Sequence, residues 1–134
     1  MQPDILFPGL ITILSLMFYS FVSLRVGLSR SKLGVKAPAT QGHPEFERNF
    51  RVQQNTMERL LIFLPSLWLF SYTVDYRWGA GLGALWIVGR ILYALGYYKE
   101  ASKRGAGFGI GYLASHALLL GALVGIIMGI VKLL

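Results

Sequence analysis

Residues 45–70, EFERNFRVQQNTMERLLIFLPSLWLF, join a half rich in arginine and glutamate to an apolar half. The polar half places Arg51, Asn55 and Glu58 just before, or at the start of, the apolar run. Ionisable side chains at the mouth of a membrane helix are costly, and they usually face a polar cavity or a partner. The segment therefore predicts a membrane helix that carries a functional site at one end.

The composition of the whole chain also favours a membrane protein. Of its 134 residues, 54% are hydrophobic and 14% are charged, whereas soluble domains have about 25% charged residues. A soluble chain of this length could not bury so much apolar surface, so lipid is the expected solvent. The length allows a single domain, residues 1–134, and the absence of cysteine excludes disulfides and thiolate metal sites.

Four apolar segments are each long enough to cross a bilayer, for which about 20 residues suffice. We place them at residues 5–24, 51–72, 78–98 and 108–132. Residues 27–44 contain glycine, proline and serine and are predicted to form one long loop, whereas the other two connections are short. Short connections make successive helices antiparallel neighbours. The predicted fold is therefore an all-α, integral membrane four-helix bundle.

The basic residues are distributed unevenly between the two ends of this bundle. The end with the long loop and residues 99–104 carries most of the lysines and arginines, whereas the other end has Arg77 and Lys132. The positive-inside rule places the more basic end in the cytoplasm and the N-terminus on the opposite side. We therefore attribute the net charge of +7 to topology and anionic lipid headgroups, and nucleic-acid binding is not expected.

The second and third spans are predicted to carry complementary polar stripes, because polar side chains recur at spacings of three and four residues on both. The stripes are Arg51, Asn55 and Glu58 in the second span and Arg90, Tyr93 and Tyr97 in the third. Antiparallel pairing would bring the stripes level with each other, with Glu58 opposite Arg90 at the deepest point. The result is a cleft that enters the membrane from the cytoplasmic side, with Arg30 and Arg104 at its rim.

These side chains suit a small molecule that is acidic and zwitterionic. Arginine forks bind carboxylates, and the carboxylate of Glu58 suits an ammonium group or pairs with Arg90 or Arg59. Purely structural alternatives are arginines that anchor the helix at the interface and tyrosines that form an aromatic belt. His43 and His116 have no partner at metal-ligand spacing, so no metal site is expected.

The last span carries glycine at every fourth position, at Gly121, Gly125 and Gly129. This spacing puts all three on one face and allows a second helix to approach closely. The face could serve packing within the bundle or a contact between subunits, and the sequence does not decide between them.

Two sequence blocks resemble the MAPEG family, the membrane-associated proteins in eicosanoid and glutathione metabolism. They are PEFERNFRVQQNTMER at residues 44–59 and GRILYALGYYKEASKR at residues 89–104. The likeness is to the branches of leukotriene-C4 synthase and the microsomal glutathione transferases, and with Arg30 and the four spans it covers essentially the whole chain. The resemblance implies a homotrimer of four-helix protomers, with glutathione as cosubstrate at the subunit boundaries.

The resemblance also implies roles for single residues. Arg104 matches the arginine that activates the thiol and is the implied catalytic residue. The implied glutathione contacts are Arg51, Asn55, Glu58, Tyr93 and Tyr97, together with Arg30 and Gln53 from the neighbouring subunit. The roles of Arg59, Arg90 and His116 stay open.

The implied activity is transfer of glutathione to lipophilic electrophiles, with glutathione peroxidase activity on lipid hydroperoxides as an addition. One alternative is a non-catalytic lipid-binding scaffold, like five-lipoxygenase-activating protein in the same family. The retained polar set with Arg104 favours the enzyme. Another alternative is a small channel or transporter subunit, but the polar stripe ends part-way through the membrane.

Overall fold

The computed structural model describes residues 2–134, which form four long helices and one short 3-10 helix. The long helices are α1 (Pro3–Leu33), α2 (Pro44–Thr73), α3 (Tyr76–Lys99) and α4 (Gly105–Leu133), and the 3-10 helix is Ala101–Arg104. No strand occurs between residues 2 and 134. The prediction of an all-α chain with four long helices is confirmed.

The first helix is longer than the apolar segment that predicted it. Residues 27–33 continue α1, so the prediction of a loop over residues 27–44 is wrong for this part. The helix ends at Gly34, whose φ of 71° lies in the left-handed region that favours glycine, and whose N–H bonds the carbonyl of Arg30. The loop that remains, residues 34–43, is about half the predicted length.

The starts of α2 and α3 are fixed by capping residues. Proline suits the first helical position, which Pro44 occupies, and Nδ1 of His43 accepts the backbone N–H of Glu45. At the start of α3, the carboxylate of Asp75 accepts the backbone N–H of Trp78 at 3.0 Å. This hydrogen bond lowers the pKa of Asp75, so the carboxylate stays ionised and caps the helix at neutral pH.

The central pair of the bundle is α2 and α3, which each pack against all three other helices. Sequence neighbours run antiparallel, as predicted. Between α1 and α2, for example, Trp68 bonds Thr12 near one end of the bundle and Arg25 bonds Asn49 near the other. This order brings the start of α2, the end of α3 and the start of α4 to the same end of the molecule.

Glycines allow α3 and α4 to touch backbone to backbone. A Cβ atom on Gly107 would collide with the backbone of Tyr93, and one on Gly89 would lie 2.6 Å from the backbone nitrogen of Gly111. In the glycine stripe of α4, Gly121 packs against the Phe70 ring of α2. The first part of this stripe therefore serves packing within the bundle.

The last two glycines of the stripe differ in their contacts. Gly125 lies against the side chains of Thr73 and Val74, whereas a Cβ atom on Gly129 would meet nothing within 4 Å. Of the two predicted uses of this face, packing within the bundle is therefore confirmed for Gly121 and Gly125 only.

Much of the outer surface is apolar. The helices α1 and α3 and the segment Ala101–Leu133 are long and apolar enough to cross a membrane. Their outward side chains, such as Phe21 and Leu113, are more than two-thirds exposed, as expected for helices in contact with lipid. The 30 residues of α2 have the length for a span, but the polar stripe in its first half leaves it outside this apolar set.

Candidate functional site

A polar pocket of about 420 Å³ opens at the end of the bundle where α2 begins and α3 ends. It is lined by Arg51 and Asn55 of α2, Tyr93 and Tyr97 of α3, Arg104 of the 3-10 helix and Phe108 of α4. All of these except Phe108 were predicted as site residues from the sequence. The matched spacings on α2 and α3 therefore bring two residues of each stripe together, whereas Glu58 and Arg90 do not line the site, which we call the polar pocket.

Two arginines give the mouth of the polar pocket a positive charge. Arg51 and Arg104 are both exposed, and neither forms an ion pair in residues 2–134, where the one ion pair joins Arg77 to Asp75 at the far end. Arg104 donates a hydrogen bond to the Ala101 carbonyl within its own turn. Because a guanidinium has five N–H donors, most of those on Arg104 remain available to a bound anion.

Asn55 supplies an acceptor deeper in the polar pocket. Its Oδ1 atom is buried and has no hydrogen-bond partner among residues 2–134. A buried acceptor without a donor costs about 1–3 kcal/mol. Because Asn55 lines the polar pocket, a small rotation of its amide would expose this atom to an N–H group of a bound molecule, which would remove that cost. Cations at the mouth and an unpaired acceptor inside are therefore complementary to a molecule with both carboxylates and N–H groups.

Arg90 lies beneath the polar pocket. It is 1% exposed, donates to Oγ1 of Thr56 at 2.8 Å, and holds its guanidinium carbon 4.2 Å from the centre of the Tyr93 ring. Thr56 in turn donates to the carbonyl of Val52 at 2.7 Å. The pairing of Glu58 with Arg90, which the stripe allowed, is not formed, because Glu58 is exposed to solvent while Arg90 is buried against Thr56. Arg90 does not line the polar pocket itself, but it links Tyr93, which does, to Thr56 of α2.

Arg30 and Gln53 lie apart from the polar pocket. Gln53 donates to Oγ of Ser23 at 3.3 Å, on the face between α1 and α2. Arg30 donates to the carbonyl of Ala39 at 2.7 Å and lies over the ring of Phe46. One copy of the chain does not bring these two residues to the site, and their contribution from a second copy stays a prediction.

Two residues whose role the sequence left open pack on aromatic rings of α4. The guanidinium carbon of Arg59 lies 5.8 Å from the centre of the Phe108 ring, and the His116 ring stacks on Tyr112 at 3.9 Å. Arg59 therefore reaches the wall of the polar pocket through Phe108. In residues 2–134 no group of three His, Cys, Asp or Glu side chains is arranged to hold a metal ion.

The sequence reasoning missed Phe108 and Thr56. The ring of Phe108 lies 6.1 Å from that of Tyr93 and closes the side of the polar pocket formed by α4. Its position four residues after Arg104 was an available signal, because that spacing puts two residues on one helical face. Thr56 gave no such signal, since nothing near it in the sequence indicates that Arg90 of another helix is its partner.

Comparisons with known proteins relate nearly the whole chain to one family. Residues 8–124 match the model of the MAPEG family. An uncharacterized protein of Synechocystis sp. is 50% identical over 126 residues, which cover 94% of this chain and 92% of the relative. Microsomal glutathione S-transferase 2 of Homo sapiens is 44% identical over 111 residues, 81% of this chain and 76% of the relative. Leukotriene C4 synthase of Bos taurus is 32% identical over 104 residues, 78% and 69% of the two chains.

Proposed function

Because the chain belongs to the MAPEG family of integral membrane proteins, we propose that it is a glutathione transferase that acts on lipophilic electrophiles. The observation that carries the proposal is the polar pocket, where Arg51 and Arg104 at the mouth meet the unpaired Oδ1 of Asn55 inside. The relatives named as glutathione transferase and leukotriene C4 synthase support the same class of reaction. A volume of about 420 Å³ lies within the usual range for small-molecule sites.

The chemical groups of glutathione match those of the polar pocket. Glutathione has two carboxylates, an ammonium group, two amides and a thiol. The guanidinium of Arg51 is suited to a carboxylate, the Oδ1 atom of Asn55 to an amide N–H, and the phenols of Tyr93 and Tyr97 to further hydrogen bonds. Glu58 does not line the polar pocket, but it is exposed and unpaired within residues 2–134 and would bind the ammonium group at the edge of the site.

In the proposed mechanism, Arg104 stabilises the thiolate of bound glutathione. A free thiol has a pKa of about 8.5, and a nearby cation lowers it by one to several units, each worth about 1.4 kcal/mol. A guanidinium does not act as a base at neutral pH, so the thiol proton leaves to water. The sulfur then attacks an electrophilic carbon. As the C–S bond forms, the bond from that carbon to its leaving group breaks, or an epoxide C–O or conjugated C=C bond opens and the resulting anion takes a proton from water. The other residues orient glutathione.

The same thiolate would give peroxidase activity on lipid hydroperoxides. Sulfur attack on the O–O bond releases the lipid alcohol, and a second glutathione converts the resulting sulfenic acid to glutathione disulfide and water. Two thiols are thereby oxidised as one hydroperoxide is reduced. This activity needs no residue beyond those that bind and activate glutathione.

The proposal includes a homotrimer in which Arg30 and Gln53 reach the polar pocket of a neighbouring copy. Their separation from that pocket within one protomer supports this assignment, because they would otherwise have no part in the site. We place the mouth of the polar pocket on the cytoplasmic side and the N-terminus on the other, as the excess of basic residues at that end favours.

The first test is the ultraviolet absorbance of the thiolate when glutathione is added to the purified protein in detergent. We expect a thiolate signal at neutral pH in wild type. In Arg104→Ala the signal should move to higher pH by one or more units, and the transferase rate should fall by about 10². Lys103→Ala is the matched control, because Lys103 is an exposed cation of the same 3-10 helix that does not line the polar pocket.

Calorimetry on the same samples separates the ways in which this proposal could fail. Glutathione binding without a thiolate signal in wild type would contradict the transferase and support the lipid-binding scaffold. No glutathione binding at all would reject any role for this cosubstrate. Equal losses of thiolate signal and transferase rate in Arg104→Ala and Lys103→Ala would contradict a catalytic role for Arg104.

A further inference from the structure

A second cavity, which we call the apolar groove, lies on the outer surface between α1 and α3. Its volume is about 360 Å³, and its walls are residues 18–28 of α1 and 91–98 of α3. All its lining side chains are hydrocarbon or aromatic except that of Arg25. Ten residues of helix extend about 15 Å, which is half of the roughly 30 Å hydrocarbon core of a bilayer. The part between Phe18 and Arg25 extends about 10 Å, so it can hold about two-thirds of an acyl chain in one leaflet.

Arg25 is fixed in one orientation by residues from two other helices. Its Nε atom donates to Oδ1 of Asn49 on α2 at 3.1 Å, and Asn49 is 2% exposed. Its guanidinium carbon lies 3.7 Å from the centre of the Tyr98 ring on α3. A hydrogen bond in the plane and a ring against the face leave the guanidinium little freedom to rotate.

The outer edge of this guanidinium is unoccupied by protein groups. In residues 2–134, neither terminal nitrogen of Arg25 has a hydrogen-bond partner, and no carboxylate forms an ion pair with it. A charged side chain that is held in place while its donors stay free is typical of a recognition site. Because the side chain is already ordered, anion binding costs little of its conformational entropy. The planar fork of terminal nitrogens matches two oxygens of one phosphate.

We propose that the apolar groove binds one acyl chain of an anionic phospholipid whose phosphate is held by Arg25. The groove opens sideways to the bilayer, since Phe21 and Leu28 on its rim are largely exposed, so a bilayer lipid enters it without leaving the membrane. In residues 2–134 no carboxylate pairs with Arg25, so its charge is left for the ligand. An unneutralised cation favours a headgroup with net negative charge over one that carries its own cation.

This site is independent of the polar pocket. No residue lines both cavities, and Arg25 has no part in the proposed glutathione chemistry. Loss of lipid binding with intact glutathione binding, or the reverse, therefore distinguishes a failure of one proposal from a failure of the other.

The test uses the full chain in phosphatidylcholine vesicles that contain a trace of phosphatidylglycerol with a photoreactive group in the middle of one acyl chain. We expect labelled peptides to map to residues 18–28 and 91–98. Unlabelled phosphatidylglycerol should compete, whereas the bulk phosphatidylcholine and added oleate should not. Circular dichroism of each variant confirms that its helices are intact.

Two variants with matched controls test the two halves of the site. Arg25→Gln removes the cation and is expected to lower the labelling yield about tenfold. Leu95→Trp fills the groove from an exposed position and should lower the yield to a similar degree. The controls are Lys99→Gln and Leu92→Trp, which change an exposed cation and an exposed leucine of α3 outside the groove, and both should keep the wild-type yield.

Several outcomes would overturn the proposal. Equal labelling by a phosphatidylcholine probe would reject recognition of the headgroup charge. Displacement by oleate would assign the groove to free fatty acids instead of phospholipids. Labels spread evenly over the exposed faces of α1 and α4, or a wild-type yield in both Arg25→Gln and Leu95→Trp, would show that no specific site exists.

Discussion

The polar pocket and the apolar groove lie on different sides of α3 at the same end of the bundle, and consecutive tyrosines line them. Tyr97 lines the polar pocket and Tyr98 the apolar groove. Each ring has an arginine beside it, at 5.7 Å for Arg104 and Tyr97 and at 3.7 Å for Arg25 and Tyr98. One residue turns a helix by about 100°. A single step along α3 therefore separates a site suited to a water-soluble anion from a site suited to a lipid.

The two arginines differ in how they are held, and this difference matches their proposed tasks. Arg25 is fixed by Asn49 of another helix, whereas the one hydrogen bond of Arg104 within residues 2–134 goes to the Ala101 carbonyl of its own turn. A fixed guanidinium favours recognition of one headgroup geometry. An exposed guanidinium on a short 3-10 helix can change position during the reaction, as negative charge leaves the thiolate sulfur. The predictions below test whether the two sites are as separate as this comparison requires.

The largest effect is expected from Gly107→Ala, which acts on the polar pocket through the backbone. The new methyl group would collide with the backbone of Tyr93, and backbone cannot move aside as a side chain can. We expect a loss of about 3 kcal/mol in unfolding free energy, at the upper end of overpacking costs, and weaker glutathione binding. Lipid labelling of the apolar groove should persist wherever the variant is folded.

The control for that experiment is Gly109→Ala, since a Cβ atom on Gly109 would meet nothing within 4 Å. It should leave stability unchanged or raise it slightly, because alanine favours helix more than glycine does. Thermal unfolding in detergent measures both variants. Equal stability of Gly107→Ala and wild type would contradict the close backbone contact between α3 and α4.

A smaller effect is expected from Thr56→Val, which removes the partner of Arg90 beneath the polar pocket. A buried donor of a charged group is then left without an acceptor, at a cost of about 2 kcal/mol. Glutathione binding should weaken as well, because Arg90 packs on Tyr93. Thr56→Ser keeps the hydroxyl and loses one buried methyl group, so it should lose only about 1 kcal/mol in chemical unfolding. A loss in Thr56→Val no larger than that in Thr56→Ser would contradict the importance of the hydrogen bond to Arg90.

The smallest effects separate the two tyrosines directly. Tyr97→Phe should raise the Kd for glutathione about fivefold, the value of one hydrogen bond of about 1 kcal/mol. Tyr98→Phe should change neither glutathione binding nor stability appreciably, because the Tyr98 hydroxyl is buried without a partner in residues 2–134. Calorimetric titration of both variants decides the matter. A loss of glutathione affinity in Tyr98→Phe would mean that the two sites are coupled through α3.

The sequence predicted the residues of the polar pocket better than their pairing. Helical spacing determines which side chains share a face, so Arg51, Asn55, Tyr93 and Tyr97 were placed together correctly. Spacing does not determine how far each helix is rotated about its axis. The pairing of Glu58 with Arg90 failed for that reason, as buried Thr56 lies within reach of the arginine instead.

Hydropathy also located the spans better than the ends of the helices. The apolar run of α1 stops near residue 24, but α1 continues to Leu33, because a helix ends where a capping residue, here Gly34, stops it and not where the bilayer does. Arg25 therefore lay just outside the predicted span. Its partners Asn49 and Tyr98 belong to other helices, so no local pattern revealed the apolar groove.

The polar first half of α2 has a consequence for how the chain enters the membrane during synthesis. Three segments are apolar enough to partition into lipid by themselves, namely α1, α3 and Ala101–Leu133. The helix α2 is not among them. The ribosome delivers α2 before α3, the helix that supplies Tyr93 and Arg90 to its polar face. We therefore expect α2 to wait at the translocation channel until α3 emerges, so that insertion and folding are a single step for this helix.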